Sequence, residues 1–178
     1  MTDAAHILAA RLSTTASAPS ELEQEVIELF DALRNPVLRY LLGIGLGIHD
    51  AEEIAQEVFL ALFQHLRAGK SRRNLRGWVF RVAHNLGLRR RERSKESGEM
   101  PLVADPSPNP EAQFANAQRQ VRILAAVGAL PELDRACLDL RAEGLRYREI
   151  AQVLGISLGA VSMSLARSIA RLTRAAER

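Results

Sequence analysis

Residues 147–162 combine small, turn-forming and apolar side chains at the spacing of two helices that meet at a sharp angle. Ala151 is small enough to let the helices touch, Gly155 tolerates the positive φ of a tight turn, and Val161 can anchor the second helix. Ser157 is a residue type that caps helices. The pattern predicts a helix-turn-helix, whose second helix lies in the major groove of DNA. The alternative is a plain helical hairpin.

The second helix of this motif has an apolar side that should be buried and a polar side that should face outward. The expected buried positions are Val161, Leu165, Ile169 and Leu172. The expected outward positions are Gly159, Ser162, Met163, Ala166, Arg167, Ala170, Arg171 and Arg174. The outward side is the candidate surface for contacts with bases and phosphates.

A second group of chemically useful residues is a basic cluster before and along a predicted helix in the middle of the chain. Its members are Arg67, Lys70, Arg72, Arg73, Arg76, Arg81, Arg89, Arg90, Arg91, Arg93 and Lys95. Arg81, Asn85 and Arg89 are spaced four apart, so they offer guanidinium and amide groups on one helix face. This face is a predicted nucleic-acid surface, and the alternative is a solvated charged helix.

The preceding helix carries acidic groups on its outward side. Asp50 is the expected cap of this helix. The residues that share its outward side are Asp50, Glu53, Gln56, Glu57, Leu60 and Gln64. An exposed leucine among carboxylates suits the docking of a basic helical partner, although an ordinary solvated helix is the alternative.

The elements that must position these groups are predicted from apolar residues at helical spacing. The first helix is marked by Ile27, Phe30, Leu33, Val37 and Leu41, the second by Ile54, Ala55, Val58, Phe59, Leu62 and Leu66, and the third by Leu75, Trp78, Val79, Val82 and Leu86. Further helices are expected over 121–130 and 133–141, separated by Pro131, before the helix-turn-helix. Trp78 falls on the apolar stripe, so we interpret it as a core residue rather than a base-stacking platform.

Two segments lack the apolar residues that a packed element needs. Residues 12–20 are small and polar, and residues 97–111 contain four prolines, which disfavour helix and strand alike. The predicted fold class is therefore all-α, with two small helical domains joined by a flexible linker. The predicted division is a tail at 1–20, a first domain at 21–96, a linker at 97–113 and a second domain at 114–178.

The composition narrows the class of protein. The 178 residues are 47% hydrophobic and 4% aromatic, which suits helices packed through aliphatic side chains. The pI near 9.6 favours nucleic acid as a partner. The single cysteine, Cys137, is interpreted as a core residue of a protein from a reducing compartment. The chain shows neither a signal-peptide pattern nor an apolar run of membrane-spanning length, so a cytoplasmic location is expected.

Residue patterns that would indicate catalysis are missing from the sequence. We find no nucleophile paired with a base, no glycine-rich phosphate loop and no cluster of metal ligands. The histidines lack metal-ligand spacing. We therefore expect neither an enzyme nor a bound cofactor or metal.

Taken in order, these segments resemble the extracytoplasmic-function (ECF) sigma factors of the sigma-70 family. Residues 50–63 are similar to region 2.2, and residues 74–86 to regions 2.3 and 2.4. Residues 129–135 and 143–157 are similar to region 4. The resemblance covers about residues 22–176 and leaves only the linker loose.

The resemblance implies a sigma factor that binds core RNA polymerase and directs promoter-specific transcription initiation, with an anti-sigma factor as a further partner. The implied contacts with the β′ clamp helices of the polymerase are Asp50, Glu53, Gln56, Glu57 and Leu60. The implied contacts with promoter DNA are Arg73, Arg76, Arg81, Asn85 and Arg89 at the minus 10 element, and Arg148, Ser157, Ser162, Met163, Arg167 and Arg171 at the minus 35 element.

Two positions depart from the family pattern. Arg89 stands where the family usually has an acidic residue, so the contacts carried over to that position can differ. Residues 160–164 read Ala-Val-Ser-Met-Ser where the family commonly has Thr-Val-Lys-Ser-Arg. Because two cations are lost there, we expect upstream binding to rely more on Arg148, Arg167 and Arg171.

A stand-alone helix-turn-helix regulator is the alternative function for the same residues. Such a regulator usually presents two copies of its reading helix across a two-fold DNA site. Here the linker instead joins two unlike DNA surfaces within one chain, which favours the sigma factor.

Overall fold

The computed structural model describes residues 20–96 and 114–177, and these residues form seven helices and no strand. The helices are α1 (Glu21–Gly43), α2 (Ile48–Arg67), α3 (Leu75–Glu96), α4 (Phe114–Gly128), α5 (Glu132–Ala142), α6 (Tyr147–Leu154) and α7 (Leu158–Glu177). The all-α class expected from the sequence is confirmed. The predicted tail, except for Ser20, and the predicted linker lie outside the described residues.

Helix α1 begins where the change in composition predicts, and its start is fixed by reciprocal hydrogen bonds. The Ser20 hydroxyl accepts from the backbone N–H of Glu23 at 3.3 Å, and the Glu23 carboxylate accepts from the N–H of Ser20 at 2.8 Å. This capping box satisfies two N–H groups that would otherwise lack partners at a helix start. The helix continues through Pro36 because the buried Leu33 and Val37 hold that turn against the core.

Helices α1, α2 and α3 pack around one aliphatic and aromatic core. The Tyr40 ring meets the Phe80 ring edge to face at 5.8 Å between centroids, and the Tyr40 hydroxyl lies 2.7 Å from Nδ1 of His84. Burial of His84 lowers the pKa of its imidazole. Gly87 lets α3 approach the end of α1, because a Cβ at this position would lie 2.8 Å from Cδ1 of Ile44.

Helix α2 begins differently from the prediction. The helix starts at Ile48 with Gly47 as its N-cap, so Asp50 lies in the first turn and the predicted capping role of Asp50 is wrong. Its carboxylate instead accepts a hydrogen bond from Arg90 of α3 at 2.9 Å. An acidic side chain in the first turn still interacts favourably with the helix dipole.

Helices α4 to α7 form the second unit, in which α7 packs against α4, α5 and α6. Helix α4 ends at Gly128 and α5 begins at Glu132, so the predicted break at Pro131 is present. Cys137 is fully buried, as predicted for a core residue. Gly144 has a φ of +88° and turns the chain between α5 and α6.

The two units also pack against each other. Helix α6 lies on α3, and α5 lies on α1. One cluster of buried apolar side chains continues from Leu33 in the first unit to Leu165 in the second. The units are therefore joined by an apolar interface in addition to the covalent chain.

Within residues 20–96 and 114–177, no single helix is long and apolar enough to cross a membrane. Helices α6 and α7 are long and apolar enough only when taken together, and the chain bends by 105° between them. Both helices contribute to the buried cluster of the second unit.

Candidate nucleic-acid and protein interfaces

The predicted helix-turn-helix is present at α6 and α7. The two helices meet at 105°, within the range of about 90–120° typical of this motif. Gly155 has a φ of +66°, a left-handed conformation that glycine adopts without steric cost. The hydroxyl of Ser157 accepts from the backbone N–H of Ala160 at 3.1 Å and caps α7. The small turn residue and the cap therefore have the predicted positions.

The outward side of α7 agrees with the prediction, and its buried side agrees in part. All predicted outward positions are exposed, and the side chain of Met163 reaches 64% exposure. Val161 and Leu165 are buried as expected, but Ile169 is 56% exposed, so its predicted burial is wrong. Ser164 and Ser168 complete the buried stripe instead, because spacings of three and four residues from Val161 and Leu165 fall on the same helix face.

The buried serines of α7 face a carboxylate of α5. Asp134 is 3% exposed, and its Oδ1 accepts from the Ser164 hydroxyl at 2.6 Å and from Nη2 of Arg167 at 2.7 Å. Its Oδ2 accepts from Nε of Arg167 at 3.2 Å. The Arg167 guanidinium holds the pKa of Asp134 below its ordinary value. We call this group the Asp134 cluster (Asp134, Ser164 and Arg167). It fixes α7 to α5.

The Asp134 cluster changes the role available to Arg167. Two of its guanidinium nitrogens are already bound to Asp134, although the side chain remains 54% exposed. Its remaining nitrogen, Nη1, can still reach a phosphate. The sequence alone does not indicate this role of Asp134, because a lone aspartate in an amphipathic helix carries no signal of a partner thirty residues away.

Replacing Asp134 with Ala is expected to lower the free energy of unfolding by about 2 kcal/mol, because the buried Ser164 hydroxyl loses its partner. The pKa of Asp134 is lowered in the folded chain, so this stabilisation is present above the unfolded pKa and is lost as the pH falls through the folded pKa. Urea unfolding at about pH 7 and about pH 3 measures both effects. The difference between wild type and variant should shrink at the lower pH.

A companion variant is Arg167→Ala, which removes two of the three side-chain hydrogen bonds to the buried carboxylate. It should also destabilise the chain, because Asp134 then stays buried with Ser164 as the side-chain donor that is left. Wild-type stability in Arg167→Ala would contradict the role of the ion pair.

Helix α3 presents the predicted basic face to the outside. Arg81, Asn85 and Arg89 are all exposed, whereas Phe80 and Ala83 on the opposite side are fully buried. The helix therefore presents two guanidinium groups and an amide on one exposed face.

The turn before α3 is held in one conformation by Asn74. Asn74 has a φ of +54°, and its side-chain oxygen accepts from the backbone N–H of Gly77 at 3.1 Å. Arg73 precedes this cap and is exposed. Arg76, in contrast, donates to the backbone carbonyl of Glu143 in the second unit. Of the predicted minus 10 contacts, Arg76 is therefore engaged within the chain.

Trp78 is partly buried against the core, as the core interpretation predicts. Its ring lies 4.6 Å from the ring of His65, centroid to centroid. A ring nitrogen of His65 lies 2.9 Å from the backbone carbonyl of Ser71. These contacts tie the end of α2 to the loop that leads into α3.

The outward side of α2 forms an exposed acidic surface, which we call the α2 face (Asp50, Glu53, Gln56, Glu57 and Leu60). Leu60 is 59% exposed, as predicted. Arg90 of α3 donates to Asp50 at 2.9 Å and to Glu53 at 2.7 Å, a link that the sequence did not indicate. Glu53 and Asp50 hold the pKa of Arg90 above its ordinary value. Arg90 thus holds Asp50 and Glu53 of the α2 face in place, while Glu57 and Leu60 remain exposed.

Comparison with known protein families agrees with this arrangement of two helical units. Residues 29–96 match the family described as Sigma-70 region 2, and residues 120–172 match Sigma-70, region 4. The two matches place the chain among proteins of the sigma-70 type.

Comparison with individual relatives narrows the class of protein within the sigma-70 type. The chain is 31% identical over 160 residues to the probable RNA polymerase sigma factor RfaY of Xanthomonas campestris, covering 85% of this chain and 40% of the relative. It is 33% identical over 139 residues to the ECF RNA polymerase sigma factor ShbA of Streptomyces griseus, covering 72% of this chain and 73% of the relative. The chain thus spans less than half the length of RfaY and most of ShbA. It belongs to the ECF sigma factors of the sigma-70 family.

Among solved structures, the fold is shared with the sigma factor RpoE of Bartonella quintana, which was crystallised with the anti-sigma factor NepR. The TM-score is 0.64 at 19% sequence identity, and the match covers 88% of this chain and 97% of RpoE. The likeness extends over both helical units, so it supports the fold of each of them.

Proposed function

We propose that this protein binds core RNA polymerase and directs transcription initiation at promoters that carry particular minus 10 and minus 35 elements. The observation that carries the proposal is the presence of two different exposed helix surfaces in one chain, the basic face of α3 and the outward side of α7. The two surfaces consist of different residues, so the chain suits two unlike DNA sequence elements within one promoter.

The α3 surface is proposed to contact the minus 10 element through Arg81, Asn85 and Arg89, with Arg73 at its edge. Guanidinium and amide groups can bond to phosphates and to the edges of exposed bases. Arg76 can join them only after its bond to Glu143 is released. This surface suits a separated strand, because unpaired bases leave their hydrogen-bonding edges open.

The α7 surface is proposed to contact the minus 35 element through its first two turns. Ser157, Ser162 and Met163 are exposed there, and Arg148 lies on the outside of α6. Arg171 and the free nitrogen of Arg167 can meet the phosphate backbone, which positions the helix without reading sequence. Selectivity then depends mainly on Ser162 and Met163.

The α2 face is proposed to dock on the β′ clamp helices of the polymerase. Its carboxylates offer electrostatic complementarity to a basic partner, and the exposed Leu60 supplies apolar area at the centre of the contact. Arg90 keeps Asp50 and Glu53 in place before the partner arrives, which reduces the entropy lost on docking.

The decisive experiment adds the purified chain to core RNA polymerase and transcribes a pool of genomic promoter fragments. We expect co-purification of the chain with the core enzyme and transcription from a distinct subset of fragments. Those fragments should share a minus 10 and a minus 35 sequence. No association with the core enzyme would contradict the proposal.

A gel-shift measurement at about 150 mM salt separates this function from a stand-alone regulator. One helix-turn-helix with few cations near its start should bind duplex DNA in the non-specific range of about 10⁻⁴ to 10⁻⁶ M. Core polymerase should raise affinity and selectivity together, because two weak contacts then act at high effective concentration. Tight, selective binding of the chain alone to a palindromic duplex would favour the regulator.

The proposal includes a non-enzymatic role in the cytoplasm and control by an anti-sigma factor. The Bartonella relative in the solved complex is itself bound to such a factor. The catalytic step of transcription belongs to the polymerase, so the chain contributes binding surfaces and no reacting group. The search for a bound inhibitor protein should start with affinity purification of the full chain from its own host.

A further inference from the structure

The outward side of α7 carries one long side chain between small ones. Gly159, Met163, Ala166 and Ala170 follow one another at spacings of four, three and four residues, so they form one line along the helix. We call this line the α7 stripe. Met163 is 64% exposed, the largest value for a large apolar side chain among the described residues. A single flexible apolar side chain therefore stands out from a surface of hydrogen atoms and methyl groups.

The α7 stripe lies opposite the buried side of its helix. Val161, Leu165 and Ser168 are buried against the second unit. At about 100° per residue, the centre of the stripe is about 180° away from these positions. In the proposed minus 35 contact, the stripe is therefore the part of α7 that reaches deepest into the major groove. The small residues on either side of Met163 allow the helix backbone to approach the bases closely.

The first two turns of α7 contain neither a charged nor an amide side chain. Residues 158–165 read Leu-Gly-Ala-Val-Ser-Met-Ser-Leu. The hydroxyl of Ser164 is bound to Asp134, and so are two nitrogens of Arg167, the first guanidinium of the helix. The exposed hydroxyl of Ser162 remains. Bidentate reading of guanine by Arg, or of adenine by Asn or Gln, is therefore not available in these two turns.

Thymine is the base that presents an apolar group in the major groove. Its C5-methyl group is contacted by apolar side chains, whereas the other groups on the base edges are hydrogen-bond donors and acceptors. The methionine side chain is unbranched and ends in a polarizable thioether, so it adapts its shape to such a group. A contact between the two removes apolar surface of both partners from water. The chemistry of the α7 stripe thus matches thymine better than any other base.

We propose that Met163 determines specificity by packing against the methyl group of a thymine in the minus 35 element. The inference rests on the proposed function and deepens it, because it names the base that the α7 surface reads. The thymine lies opposite the second turn of α7. Ser162 and the phosphate contacts then hold the helix in position on the duplex.

The test uses holoenzyme assembled from the full chain and saturating core RNA polymerase. A promoter pool with a randomised minus 35 element supplies the preferred sequence, and each thymine of that element is then replaced singly by uracil. Uracil keeps the base-pairing edge and lacks only the methyl group. We expect one thymine, or two neighbouring ones, at which the replacement weakens promoter binding about fourfold, the effect of removing one buried methyl-sized group.

Variants of the chain show whether Met163 makes this contact. Met163→Ala should weaken binding to the thymine promoter and should lose the fourfold sensitivity to uracil, because the methyl group then has no partner. Met163→Leu keeps an apolar side chain and should keep at least about twofold sensitivity. The matched control is Ile169→Ala, since Ile169 is 56% exposed on the same helix but lies outside the α7 stripe. This control should keep the full sensitivity to uracil.

Gly159→Leu tests the close approach of the stripe to the bases. In the free chain, a Cβ added to Gly159 has Oγ of Ser157 as its nearest neighbour, at 3.9 Å, so the fold accepts a side chain there. In the groove, the same side chain would occupy the space of the bases. Promoter binding should fall by at least about tenfold, as expected for overpacking of a close contact. Wild-type promoter binding by Gly159→Leu would contradict the approach.

Three results would overturn the assignment of Met163. They are a selected element without a sensitive thymine, equal uracil sensitivity in wild type and Met163→Ala, and loss of core association in Met163→Ala, which would place this side chain in a protein contact. If wild type fails to bind the core enzyme, the proposed function is wrong. The uracil comparison with the full chain alone, on duplexes selected at low salt, still decides the methyl contact. Absence of selective duplex binding there would overturn the inference as well.

Discussion

Reversing Glu53 and Glu57 to lysine together should abolish stable association with core RNA polymerase. The change replaces two carboxylates on the α2 face with two cations, so a basic partner would meet like charges. Like-charge contacts of this kind cost several kcal/mol, which corresponds to a loss of affinity of at least about 100-fold. The measurement is co-purification followed by a binding titration with the core enzyme.

The structure also shows what else this double variant disturbs. Glu53 accepts from Arg90, so Glu53→Lys removes one of two acceptors, and Asp50 remains as the other. Lysine at position 53 also meets the Arg90 guanidinium, but because both side chains are partly exposed we expect a loss of at most about 1 kcal/mol in the free energy of unfolding. Glu28→Lys with Asp31→Lys is the matched control, since both residues are exposed on α1 and the change in net charge is identical. Equal loss of polymerase binding in the control would show a general charge effect.

Replacing Arg81 and Asn85 with Ala should lower transcription from a cognate promoter by at least about tenfold. Each side chain can donate hydrogen bonds to the separated minus 10 strand, and a bond with a charged partner contributes about 1.5–3 kcal/mol. Both residues are exposed, so the helix should remain intact. The measurement is multi-round transcription in vitro with saturating amounts of each variant, which separates promoter use from polymerase affinity.

The matched control for this variant is Arg34→Ala with Asn35→Ala. These neighbouring residues on α1 are the same two residue types and are exposed. They are not among the proposed DNA or polymerase contacts, and their removal should leave transcription unchanged. Circular dichroism should show equal helix content in both double variants. Full activity without Arg81 and Asn85 would refute the assignment of the minus 10 surface.

Local patterns in the sequence were sufficient for the helices and the helix-turn-helix. The start of α1, the turn at Gly155 and the cap at Ser157 each depend on residues within a few positions of one another. The exposed face of α3 also followed, because spacing by four fixes which side chains share a side. The roles of those side chains are still predictions.

Pairings between distant polar residues could not be predicted in the same way. Asp134 meets Ser164 across two helices, and Arg39 meets Glu143 across 104 residues. Neither pair leaves a periodic signal in its own segment. The error at Ile169 has the same origin. Apolar character alone suggested that Ile169 is buried, whereas the burial of Ser164 depends on its partner Asp134 in another helix.

The packing of the two units was missed for a related reason. The proline-rich segment at 97–113 suggests separate domains, and composition alone cannot show that α5 and α6 also cover α1 and α3. The contacting residues are a mixture of glycine, aliphatic and charged types. Such a mixture looks the same on a solvated surface and at a modest interface.

The Asp134 cluster sets a rule for exchanging promoter specificity among relatives. A transplanted α7 that lacks a hydroxyl at position 164 would leave the Asp134 carboxylate buried beside an apolar surface, and the graft would fit its new scaffold poorly. A graft that carries both α5 and α7 from the same donor keeps the carboxylate with its partners. In this protein, therefore, α5 and α7 should be exchanged together. A chimera that receives α7 alone would gain the proposed DNA-contacting residues without the helix that holds them in place.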